Sequence, residues 1–121
     1  MKTLQDVFNT VATHLLKQNQ RSEDNTGACL YRDGPRMCAV GVLIADEHYH
    51  ENLEYQGVAT TAVMEAVERS GWPCTPQAEG LYYALQCVHD NVMPRDWREE
   101  LAVTAKTFNL DASCLNTESL G

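Results

Sequence analysis

Tyr31, Arg32, Gly34, Arg36, Ala39 and Gly41 fall within one eleven-residue stretch, Y-R-D-G-P-R-M-C-A-V-G. Residues of these types in this order can hold an anion. A guanidinium grips phosphate through two parallel N–H bonds, and a tyrosine ring can stack on a base. A helix opening just after Arg36 would add free backbone N–H groups near Ala39 and Gly41, where its positive end favours phosphate. A structural alternative stands beside this one. The chain has nine cations and seventeen acids, so both arginines have carboxylates to pair with.

A second set is Cys29, Cys38, His48, His50, Cys74, Cys87 and His89. Zinc needs four convergent N or S ligands, and the gap from Cys29 to Cys38 fits no zinc knuckle. No C-x-x-C occurs, so the five cysteines are expected to be reduced thiols, mostly buried, and no metal or cofactor is assigned. His89-Asp90 is the pairing used by metal-dependent phosphohydrolases. His14, His48 and His50 supply no matching pattern around it, so His89 is expected to orient a helix end. Cys38 at a helix start would have a lowered thiol pKa, but no local signature makes it a nucleophile. The expectation is a protein that is not an enzyme. A third set is aromatic: Tyr49, Tyr55, Trp72, Tyr82, Tyr83 and Trp97, with Arg95 and Arg98 nearby. Protein interfaces use such residues, and Trp72, Tyr83 and Trp97 are the candidates, against the alternative of ordinary helix packing. Tyr82 and Tyr83 are neighbours on a helix, so one should enter the core and the other face outward.

These residues need a frame. At 121 residues the chain fits one domain with a real core. The formal net charge of −8 disfavours duplex nucleic acid and anionic lipid as partners. The longest apolar run, Met37 to Ala45, is nine residues, too short for a membrane span, and the first residues show no signal-peptide pattern. The expected location is the cytoplasm.

Leu4, Val7, Phe8, Val11, Ala12, Leu15 and Leu16 recur at helical spacing over residues 3–17, behind a Thr3/Asp6 capping pattern. His14 lies off that face and is expected in solvent. Residues 18–27 are polar and read as a loop. Asp33-Gly34 between Cys29-Leu30-Tyr31 and Arg36-Met37-Cys38 predicts a small β-hairpin or ordered loop near residues 28–38. A short helix is expected from Cys38 or Ala39 to about Glu47, a loop over 48–57, and a helix over 58–69. Thr75 and Pro76 open a further helix to about Asn91. Pro94 opens the last, with Trp97, Leu101, Ala105 and Phe108 on one stripe. The fold expected is mainly α: one compact domain of four to five helices over 1–110, and a short C-terminal tail over 111–121.

Cys29-Leu30-Tyr31-Arg32, Gly34-Pro35 and Cys38-Ala39-Val40-Gly41-Val42-Leu43-Ile44 together resemble a motif of small, functionally uncharacterised proteins of tailed phages and prophages. Leu85-Gln86-Cys87-Val88-His89-Asp90, Asp96-Trp97-Arg98 and the start Leu4-Gln5-Asp6-Val7-Phe8 are similar to other parts of that family, so the resemblance runs to about Leu110. Family members often carry a second cysteine where this chain has Val42 and a proline at Ala45. A metal role needing that cysteine is therefore not carried over. The resemblance implies a phage accessory protein, a host-takeover or counter-defence factor, and identifies no catalytic residue.

Two functions follow. In the first, the protein sequesters a small phosphorylated, nucleotide-type signal, using Arg32, Arg36, Tyr31 and the turn at Gly34. In the second, it inhibits a host protein through an acidic, aromatic surface. A homo-oligomer is expected in either case.

Overall fold

The computed structural model describes residues 2–120, with side chains described for 2–116. The chain is mainly helical, with α1 (Leu4–Gln18), α2 (Thr61–Arg69), α3 (Pro76–Asn91) and α4 (Trp97–Thr107). One antiparallel hairpin, β1 (Arg32–Asp33) and β2 (Arg36–Met37), lies between α1 and α2. Among the described residues no helix is long and apolar enough to cross a membrane.

The α1 capping box forms as its sequence predicts. Thr3 N–H donates to Asp6 Oδ2 (2.8 Å) and Asp6 N–H donates to Thr3 Oγ1 (3.1 Å). Val7, Phe8, Val11, Ala12 and Leu15 are fully buried along one face. Helices α3 and α4 pack on that face and on each other. Each large apolar side chain so removed from water contributes roughly 2 kcal/mol.

The hairpin pairs Arg32 with Met37 and Asp33 with Arg36. Its two-residue loop is Gly34-Pro35. Gly34 has φ 59°, the positive value such a loop needs at its first position. Pro35 sits outside the ladder, so its missing N–H costs no strand bond. The edge of α1 clamps β2. Gln18 exchanges two bonds with the Met37 backbone, and His14 Nε2 lies 2.8 Å from Met37 O. His14 is therefore half-buried rather than solvated, and burial pushes its pKa down.

The helix expected from Cys38 or Ala39 to Glu47 does not form. Short 3₁₀ turns at Gly41–Leu43, Asp46–His48 and Glu51–Leu53 take that part of the chain. Side chains from outside the run bind its backbone donors. Val40 N–H donates to Gln86 Oε1 (3.1 Å), and Ala45 N–H donates to Ser70 Oγ (2.9 Å). Gly41 lies against the Tyr31 backbone, where a Cβ would stand 2.1 Å from the carbonyl oxygen. Cys38, Ala39, Val40, Gly41, Leu43 and Ile44 are all buried, so the run is a core filler without an exposed helical face.

Thr75 caps α3 by accepting from Ala78 N–H (3.1 Å), with Pro76 at the first helical position. Tyr82 is the member of the tyrosine pair that enters the core; its hydroxyl donates to Pro73 O. Past residue 110, where the sequence suggests only a tail, Gln5 exchanges two bonds with the Asp111 backbone and Leu115 is buried.

Candidate functional site

The arginine stretch folds into its own surroundings. Glu54 gathers it, accepting from Tyr31 N–H (2.7 Å), Arg32 N–H (3.1 Å) and the Tyr49 hydroxyl (2.6 Å). Arg32 Nη2 donates to Ile44 O, and Nη1 pairs with Asp46, each at 2.7 Å. Its guanidinium lies over the Tyr49 ring, 4.5 Å from the centroid. Arg36 pairs with Asp33 and donates to Gln20 Oε1 (3.3 Å). Tyr31 is buried, and its hydroxyl donates to Gln56 O (2.6 Å). Ala39 and Gly41 are buried too, and Gly41 N–H is directed at Cys38 Sγ (3.3 Å). Of the residues expected on an anion, Gly34 stands open at the hairpin tip and the Arg36 side chain is 41% exposed. A phosphate held by Arg32 and Arg36 would compete with Asp46 and Asp33 for both guanidiniums. The three-residue 3₁₀ turn that replaces the expected helix offers it no helix end.

The aromatic candidates separate. Trp97 is fully buried, its indole N–H donating to Val92 O (2.9 Å) and its ring stacked on His89 at 5.7 Å. It is a core residue and not an interface one. Its place on the apolar stripe with Leu101 and Ala105, both buried, is the reason. Trp72 is half-buried under the Lys2 ammonium, 4.7 Å from the ring centroid. Tyr83 alone of the three is strongly exposed, at 64%.

Tyr83 stands on the rim of a cleft of about 460 Å³. Three segments line it: Ala28, Cys29 and Tyr31; residues 55–59; and Tyr83, Gln86, Cys87 and Asp90 of α3. Those four recur at three- and four-residue spacing, so one face of α3 forms a wall. Tyr55, on a different segment of the lining, is 69% exposed. It has φ 67°, a left-handed conformation that is an outlier for a bulky residue. Its hydroxyl donates to Asp24 Oδ2 (2.7 Å). Asp24 is itself fixed, accepting from Thr26 Oγ1, Thr26 N–H and Ala28 N–H. Bonds from Thr26 and then Tyr55 hold its carboxyl well below the usual carboxylate range. The residues 18–27 are thus an ordered support. The cleft lining holds one charged residue, Asp90, and no lysine or arginine.

Beside the cleft lies a polar cluster, with Gln86, His89 and Ser22 buried, Cys29 half-buried and Asp90 at the surface. Gln86 fixes its own amide by accepting from Val40 N–H, then donates through Nε2 to Cys29 Sγ (3.1 Å) and Asp90 Oδ1 (3.0 Å). His89 Nδ1 lies 2.7 Å from Asp90 Oδ1, and Nε2 accepts from Ser22 N–H (2.9 Å). The second bond sets the tautomer: the proton is on Nδ1 and is donated to Asp90. Burial lowers the His89 pKa while the bonds to Asp90 and Cys29 raise it, with a net rise. For Asp90 burial acts upward, but the His89 and Gln86 bonds outweigh it and hold the carboxyl low. The Cys38 thiol and then burial push Cys29 far above the ordinary thiol value.

Ligand atoms of Cys29, His89 and Asp90 lie within 4.8 Å of one another. They fit a metal poorly. Freeing Nδ1 for a metal would move the proton to Nε2, against the N–H of Ser22. They also fit a nucleophilic triad poorly, because the imidazole has no lone pair left for a neutral Cys29 thiol. What the cluster does is tie α3 to residue 22, together with Arg21, which donates to His89 O (3.1 Å) and Val92 O (2.8 Å). Cys74 stands apart from this cluster, its thiol directed at Met64 O.

Sequence reading passes over Asp24, Glu54 and Gln86 as site residues, and holds Tyr55 in the aromatic set without choosing it as an interface candidate. Only Gln86 carries a signal, its helical spacing with Tyr83 and Asp90. No family model, no curated protein and no solved structure matches this chain.

Proposed function

We propose that this protein is a non-catalytic binding protein that inhibits a host protein by capturing it at the cleft between Tyr55 and Tyr83. The observation that carries this reading is a 460 Å³ cleft with two strongly exposed tyrosines on its rim. Recognition sites concentrate their energy on such aromatic anchors. The rival, sequestration of a small phosphorylated signal, draws less support. Arg32 and Arg36 are occupied, and a phosphate in the cleft would meet Asp90 and a chain of net charge −8. The motif resemblance to phage accessory proteins implies a target in the host cytoplasm.

Native mass spectrometry and pull-down from bacterial lysate, with three chains, test it. Wild type and the Arg32→Ala/Arg36→Ala double variant are expected to carry the same host protein, and Tyr83→Ala to lose it. The same spectra read the number of chains per assembly and test the expected homo-oligomer. A partner, or a bound nucleotide mass, that depends on the arginines and ignores Tyr83 would return the site to the arginine stretch.

A further inference from the structure

We propose that the cleft receives the guanidinium of an arginine side chain presented by the partner protein, held between the Tyr55 and Tyr83 rings with Asp90 as its counter-charge. This rests on the capture reading above and names the chemistry of the captured group.

Four observations converge. The rims are aromatic, and aromatic faces attract cations. One rim is pre-organised. Tyr55 is held in a left-handed backbone conformation and tied to a carboxylate, which keeps its ring in place before any partner arrives. That bond to Asp24 also enriches the ring in electron density, which favours a cation over its face. Next, the lining holds Asp90 and no cation. The bonds from His89 and Gln86 both end on Oδ1, and a carboxylate can accept about four bonds in all, so acceptor capacity remains. Arg21 lies in an adjoining depression with Glu23 and Asp90, but its Nε and one terminal nitrogen already bond to backbone carbonyls. Finally, the net charge of −8 draws a basic surface toward the protein.

Guanidinium fits better than ammonium. It is planar, so it can lie flat on a tyrosine ring while its edge bonds to a carboxylate. The chain contains a finished version of this arrangement in Arg32, stacked on Tyr49 and paired with Asp46.

The test uses the full chain and blocked tripeptides, acetyl-Gly-X-Gly-amide, with X arginine, citrulline or lysine. Citrulline keeps the shape of arginine and loses the charge. Backbone amide resonances of Gly57, Ala59 and Tyr83 report occupancy. The arginine peptide is expected to bind about 10-fold tighter than citrulline and several-fold tighter than lysine. Tyr83→Ala should weaken it about 3- to 30-fold, and added salt should weaken it further. Asp90→Asn, checked for an unchanged amide spectrum away from the cleft, should bring arginine down to citrulline. Equal binding of arginine and citrulline, equal binding of arginine and lysine, or no shift at the cleft would overturn the assignment. If the host protein is still captured in a Tyr83-dependent way, the capture reading stands without it. If capture ignores Tyr83, the cleft itself is the wrong place.

Discussion

Two regions of this molecule hold the same chemical parts and differ in what fills them. Around Glu54, a guanidinium, a tyrosine ring and a carboxylate close on one another: Arg32 lies over Tyr49 and pairs with Asp46. Across the chain, Tyr55, Tyr83 and Asp90 stand around a cleft with no cation in its lining. The first region has spent its recognition chemistry on its own fold. The second has two rings and a charge in place and the middle left open. Residue type therefore does not mark a site, whereas residue type with an unfilled place does. The two regions touch through adjacent residues, since Glu54 orders the closed one and Tyr55 walls the open one.

The comparison can be broken from the closed side first. Gly41→Ala would drive a methyl group into the Tyr31 carbonyl oxygen, 2.1 Å from the ideal Cβ. The backbone must yield, so a loss of about 3 kcal/mol and a thermal midpoint lower by roughly 10 °C are expected in a melting curve. A melt that matches wild type would mean the closed region is looser than described. Glu54→Gln is the next effect. It keeps the shape but removes the charge that accepts from Tyr31, Arg32 and Tyr49, a loss of about 2 kcal/mol by urea unfolding. No change in the urea midpoint would leave those three donors without a common organiser.

The smallest effect sharpens the open side. The Asp90 carboxyl is held below its ordinary range. Its contribution is therefore fully present above the unfolded value of about 4 and is lost as pH falls through the lower folded value. Asp90→Asn removes that dependence. Thermal midpoints measured from pH ~6 to ~2 should fall less steeply in the variant than in wild type. Parallel curves would show that Asp90 titrates as it does in the unfolded chain.

Much of the frame was legible. The Thr3/Asp6 and Thr75/Pro76 starts and the apolar stripe of residues 4–16 are local signals, and local bonds answer them. The hairpin was legible at Asp33-Gly34, although its turn is Gly34-Pro35, one residue on, with Asp33 paired to Arg36. The run after Cys38 was misread as a helix because its fate is decided at a distance, by Gln86, Ser70 and the Tyr31 backbone. Trp97 shows a different fault. Its stripe with Leu101 and Ala105 was visible and already placed it in the core. The cleft was the least legible feature. Its walls come from residues about 25 positions apart, and what makes Tyr55 a wall is a backbone angle and a bond to Asp24.

The conformation of Tyr55 sets two selective pressures against each other at one position. A glycine there would accept φ 67° at little steric cost, and an asparagine nearly so. Either would make an easier chain to fold and a cleft with one wall missing. Lineages kept only for robust folding would drift away from tyrosine at this position. A lineage that keeps it, with an acid at position 24 to hold its hydroxyl, would be keeping it for something outside the fold.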